Sequence, residues 1–189
     1  ATNASEVWKT LPYDWKVDKE FILEALTKSA TLPSKSDFER IMPQSLRFDK
    51  DVVLAWCRRS DFEELYYARH LFVPDSCKGD KEVMMAYCQK IPRSLQECSE
   101  DLCNDRDVVE AAISLGGLEL QYASLALQED RPLVVQACQS HGMALEYCPP
   151  GPTRDDLLHD REFMYQVVLA KPGGGPMWKL VPPTQRRND

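Results

Sequence analysis

The sequence predicts an all-α fold of six tandem helix-pair repeats, stacked as a short α-solenoid or a compact helical bundle. Three observations predict it. An aspartate-led helix start recurs six times, an apolar stripe at helical spacing follows each start, and a second short apolar segment lies at a near-constant distance downstream.

The starts are Asp18, Asp49, Asp80, Asp105, Asp130 and Asp160, separated by 31, 31, 25, 25 and 30 residues. A base follows every one: Lys19, Lys50, Lys81, Arg106, Arg131 and Arg161. An acid comes next in five copies (Glu20, Asp51, Glu82, Asp107, Glu162), and Pro132 takes its place in the other. Two apolar residues complete the motif, from Phe21-Ile22 in the first copy to Phe163-Met164 in the last. An aspartate at a helix N-cap accepts hydrogen bonds from backbone N–H groups that the first turn leaves unpaired, worth about 1 kcal/mol. The acid two residues on is favoured by the positive end of the helix dipole. Proline is tolerated there because its missing N–H has no intrahelical partner to lose. The six aspartates are therefore expected to be N-caps rather than a ladder of metal ligands, since starts so far apart fall on different helices.

The apolar stripe sits three, four, seven and eight residues after each aspartate, which is one face of a helix. One copy gives Val108, Val109, Ala112 and Ile113; the next gives Leu133, Val134, Ala137 and Cys138. Cys57, Cys88 and Cys138 share the last of these columns and are expected to be small core residues. The second segment begins fifteen residues after the aspartate in three copies, at Leu95, Leu120 and Leu145. It begins later in the others, at Leu65, Met177 and, most loosely, Phe38. Gly116-Gly117 and His141-Gly142 precede two of these segments, where a helix C-cap and turn are expected. Each repeat thus reads as a helix of about ten residues, a tight turn and a shorter helix.

The run Asp105-Arg106-Asp107-Val108-Val109, followed by Leu120-Gln121-Tyr122-Ala123-Ser124, resembles the repeat of the family called domain of unknown function 4116. The resemblance is good over 80–148, fair over 49–79, and limited to the openings over 18–48 and 160–181. It implies tandem helices and a source among algae, other protists or intracellular bacteria. It brings no established activity and no catalytic residues.

Composition excludes several classes. No apolar run approaches the roughly 18–20 residues that a membrane-spanning helix needs. With 23 basic and 30 acidic residues the net charge is −7, which disfavours nucleic acid and anionic lipid as partners. Seven cysteines cannot all pair within one chain, and no Cys-x-x-Cys occurs, so reduced thiols in the cytosol or a plastid stroma are expected. Cys98 and Cys103 have a spacing near that of zinc ligands but no second pair, and His70, His141 and His159 do not complete a set, so no metal is expected. Pro172–Pro176 encloses three glycines but lacks the Lys-Ser/Thr of a phosphate loop. No catalytic residue or cofactor is expected; the alternative is a thiol enzyme, or an enzyme's accessory module, using Cys77 or Cys103, the two thiols outside the repeat-core columns.

The domain organisation expected is an irregular amino-terminal arm over 1–17, a single helical-repeat domain over 18–180 and a flexible tail over 181–189. Trp8, Leu11, Tyr13 and Trp15 crowd the arm, and Pro12 interrupts any continuous helix there. They either cap the open end of the repeats or dock on a partner. Tandem helical repeats expose extended surfaces that bind proteins. The function expected is a non-catalytic scaffold or linker subunit of a larger complex. The resemblance suggests an organellar complex, for example a photosynthetic supercomplex of a plastid with the chain peripheral to the membrane, and admits as an alternative a bacterial effector that binds a host protein.

Overall fold

The computed structural model describes residues 8–29, 40–59 and 73–169, and among them every regular element is helical. The chain divides into two compact units, Ala1–Ile91 and Pro92–Asp189. The second segments at Leu65 and Met177, the Pro172–Pro176 turn and the 181–189 tail lie outside the described residues.

The first unit contains α1 (Tyr13–Val17), α2 (Lys19–Lys28), α3 (Gln44–Arg47), α4 (Lys50–Arg59) and α5 (Lys81–Cys88), with a 3₁₀ turn at Asp75–Cys77. Helices α2, α4 and α5 open the first three repeats, and they pack in sequence order, α2 on α4 and α4 on α5. Their apolar stripe forms the core: Ile22 and Leu26, then Val52, Val53, Trp56 and Cys57, then Val83, Met84, Tyr87 and Cys88 are buried.

The second unit contains α6 (Glu100–Cys103), α7 (Arg106–Leu115), α8 (Leu125–Gln128), α9 (Arg131–Ser140), α10 (Pro152–His159) and α11 (Arg161–Leu169). Three 3₁₀ helices join them, at Leu95–Glu97, Gly117–Tyr122 and Gly142–Tyr147. Helix α9 packs on both α7 and α11, and Gly117–Tyr122 lies against α7, α9 and Gly142–Tyr147.

In the repeats opened by Asp80, Asp105 and Asp130 the expected shorter helix proves to be two elements, a 3₁₀ helix and then a short α-helix; Phe38, where the first repeat's segment begins, lies outside the described residues. In a 3₁₀ helix residues three apart eclipse, so a three- to six-residue piece can drive one side chain into the core. That side chain is the leucine fifteen residues after the aspartate, and Leu95, Leu120 and Leu145 are fully buried. The 3₁₀ pattern leaves its last carbonyls open. At the end of Gly117–Tyr122 the Gln128 amide shares its two N–H groups among the carbonyls of Leu120, Gln121 and Ala123, with Nε2 3.0–3.1 Å from each oxygen.

Gly116 is not a left-handed C-cap: its backbone is extended, with φ −160°. The glycine the fold requires is its neighbour. A Cβ on Gly117 would lie 2.0 Å from the carbonyl oxygen of Ala137, so only glycine lets this turn meet the backbone of α9.

All six signature aspartates use Oδ1 to accept first-turn N–H groups of their own helices, for instance Val52 on Asp49 and Phe163 on Asp160. In four of them Oδ2 accepts the base of the preceding repeat. Lys19 reaches Asp49 at 2.8 Å and Lys50 reaches Asp80 at 2.7 Å in the first unit. In the second, Arg106 reaches Asp130 at 2.8 Å and Arg131 reaches Asp160 at 2.9 Å. The two lysines also touch the following acids, Asp51 and Glu82. In these four pairs the base thus serves the next helix along.

Candidate functional site

The arm places its four aromatic and aliphatic anchors differently. Trp8 is 5% exposed and joins the core, and Leu11 is half-buried. Tyr13 and Trp15, at 73% and 51% exposure, stand in solvent. Local chemistry fixes this split. Pro12 sets the entry to α1, its carbonyl accepting the N–H groups of Trp15 and Lys16 at 3.2 Å. Asp18, extended to cap α2, stops α1 after five residues. So short a helix buries none of its residues. Trp15 is steadied by Phe21 of α2, the ring centroids 4.9 Å apart and tilted by 50°.

Beside Tyr13 is a cleft of about 660 Å³. Lys9, Lys16 and Arg40 line it with Tyr13, over Ile41, Met42 and Pro43. Lys16 is oriented by its Nζ donating to the carbonyl of Lys9 at 2.9 Å. The lining contains three cations and no carboxylate, thiol or imidazole. Its chemistry is that of a binding surface that combines apolar and cationic side chains.

The thiols are placed less favourably for chemistry. Cys77, expected in a loop outside the core, is buried in the 3₁₀ turn that ends Asp75–Cys77. It neighbours Cys57, whose thiol is pushed up to about 12 by burial and by the nearby sulfurs of Cys77 and Cys88. Burial likewise pushes Cys138 up to about 12, with Cys148 adding to the effect. Cys103 is half-buried and directs its S–H at the carbonyl of Leu95, 3.6 Å away. Cys98, expected in the core with Cys148, is only half-buried, whereas Cys148 is fully buried. Among the described residues no three His, Cys, Asp or Glu side chains converge as metal ligands, and His70 lies outside them. No described helix is long and apolar enough to cross a membrane.

One residue escaped the sequence reading. Glu119, at 3% exposure, is the single buried charged side chain among the described residues. It accepts the N–H of Arg93 through Oε1 and that of Leu95 through Oε2, the latter at 3.1 Å. Burial raises its carboxyl to about 7, against the opposing pull of these two N–H bonds and of the Arg93 charge. The only sequence signal is positional. Glu119 precedes the buried leucine of its repeat, where the neighbouring repeats place Ser94 and Ala144.

Residues 80–128 and 105–151 match the model of a family described as Domain of unknown function (DUF4116). The stretch 80–151 resembles that family. The DUF4116-like stretch contains α5 to α9, three N-caps, the three 3₁₀ helices and Glu119. The arm and its cleft precede it. No curated protein matches the chain, and no solved structure matches it.

Proposed function

We propose that the chain is a non-catalytic scaffold or linker subunit that docks on a protein partner through its amino-terminal face. The observation that carries this reading is the exposure of Tyr13 and Trp15 on the amino-terminal arm. Tryptophan and tyrosine are among the residues that dominate binding energy at protein interfaces. Membership of a plastid photosynthetic supercomplex, peripheral to its membrane, is the finer form of the proposal. It draws on the resemblance of 80–151 to a family with algal members.

The test is native co-purification of the full chain followed by mass spectrometry, with Tyr13→Ala and Trp15→Ala variants alongside. A stoichiometric protein partner that both variants lose, while they keep their circular-dichroism spectrum and melting temperature, is the expected result. Recovery of the wild-type chain alone from every native extract would defeat the proposal. A partner retained by both variants would move the docking surface elsewhere.

A further inference from the structure

Within each unit the signature bases and aspartates form a directed series. Lys19 reaches forward to Asp49 and Lys50 to Asp80 in the first unit. Arg106 reaches Asp130 and Arg131 reaches Asp160 in the second. Such a series has two open ends. Asp18 has no signature base before it, and its Oδ1 is spent on the N–H groups of Glu20 and Phe21. Arg161 is the last signature base and has no aspartate start after it. Among the described residues Asp18 pairs with no cation and Arg161 with no acid, and both are exposed.

The surroundings of the two ends are complementary. Tyr165 lies four residues after Arg161, on the same face of α11, and is 61% exposed. Where a base has found its aspartate, that column is mostly covered: Leu23 and Val135 are half-buried and Leu54 is buried, while the charged Glu110 is exposed. At the other end Trp15 and Val17, at 51% and 41% exposure, stand just ahead of Asp18 in the chain. Glu20 adds a second exposed acid there. Its counterparts Asp51 and Glu82 each meet the same lysine as the aspartate two residues before them. One end thus offers a cation beside an aromatic ring, and the other offers two acids beside two apolar side chains.

We propose that a second copy of this chain completes the series, the Arg161 end of one molecule docking on the Asp18 end of the next. The guanidinium takes Oδ2 of the cap, as its counterparts do inside each unit, and Tyr165 meets Trp15 and Val17. One exposed ion pair is too weak to hold two molecules together. The aromatic and apolar side chains therefore supply the affinity, and the charges decide which ends meet. The net charge of −7 repels like copies, so the contact is weak and depends on concentration. Each added molecule leaves one end open, which makes the contact heterologous and able to repeat from copy to copy.

The experiment is sedimentation velocity on the full chain over a concentration series, with Asp18→Asn and Arg161→Glu alongside. Asparagine retains the N-cap and Arg161 is exposed, so both variants keep the fold, which circular dichroism checks. Wild type should rise above the monomer mass as concentration increases, and each variant alone should remain monomeric. An equimolar mixture of the two variants should form a dimer and stop there, because each contributes one intact end. Wild type that stays monomeric throughout, or variants that assemble as wild type does, would overturn the proposal. A monomeric chain that captures a different protein at Trp15 would also overturn it, while leaving the docking reading above intact. Assembly in the centrifuge with no other protein in native extracts would do the reverse.

Discussion

At the residue scale the strongest constraint is Gly117. Its missing Cβ is what allows the 3₁₀ turn to touch the Ala137 carbonyl, and a backbone atom of a packed helix cannot swing aside as a side chain would. Gly117→Ala is expected to destabilise the protein by about 1–3 kcal/mol, the usual cost of overpacking, measured by denaturant unfolding. Gly116→Ala, with nothing within 4 Å of its new Cβ and an extended backbone, should be close to neutral. The pair of variants separates the two glycines, which the sequence alone presents as equivalent. The thiols give a second expectation at this scale. Cys57 and Cys138, raised to about 12, carry almost no thiolate at neutral pH and should resist alkylation in the native state. Labelling of either at the rate of a free cysteine would contradict their burial.

At the element scale the two oxygens of each signature aspartate have separate duties, and substitution can part them. In Asp130, Oδ1 caps α9 and Oδ2 receives Arg106. Asparagine is as good an N-cap as aspartate but presents an amide where the guanidinium expects a carboxylate. Asp130→Ala should cost about 1 kcal/mol for the lost cap, and Asp130→Asn less, through the ion pair alone. Equal losses in urea unfolding would mean that one of the two roles is idle. The same elements show what could be read in advance. Caps and apolar stripes act within one turn of their own residues, so their spacing was visible as repetition in the chain. The column of bases was equally visible but unexplained, because Lys19 finds its purpose 30 residues away on another helix. The 3₁₀ form of the second segment was hidden too, since its signature leucine fits either helix type. Glu119 was hidden more deeply: an acid in an amphipathic stretch looks solvent-facing until tertiary packing closes over it.

At the scale of the whole molecule the capping aspartates set the acid limit of stability. The Asp80 carboxyl is held below its ordinary value by the Lys50 bond, ahead of the opposing effect of partial burial. For Asp49 and Asp130 partial burial pushes upward, but the bonds from Lys19, Arg106 and the capped N–H groups outweigh it and the net direction is down. Groups lowered in the folded state contribute stability above their unfolded value of about 3.8 and lose it as pH falls through the folded one. Stability should therefore decline below about pH 4 and, through Glu119 acting in the opposite sense, also between about 4.5 and 7. A melting-temperature profile with its maximum near pH 4–5 is the expected signature. A profile still rising from pH 5 to pH 7 would show that the raised carboxyl is outweighed. The docking face belongs to this scale as well. The sequence marked all four arm residues as anchors, yet only the packed fold divides them, drawing Trp8 inward and leaving Tyr13 and Trp15 outside.

The link from each base to the following cap has a bearing on how such a chain lengthens. A repeat brings one acceptor, its aspartate, and one donor, the base beside it, and in the pairs observed within each unit the donor points forward. Copying a repeat whole into the gene therefore adds a matched acceptor and donor together and strands neither. Duplication needs no compensating substitution to restore charge balance at the new joint. A repeat built this way is inherited as a ready-made link, and its number is free to drift while its side chains stay the same.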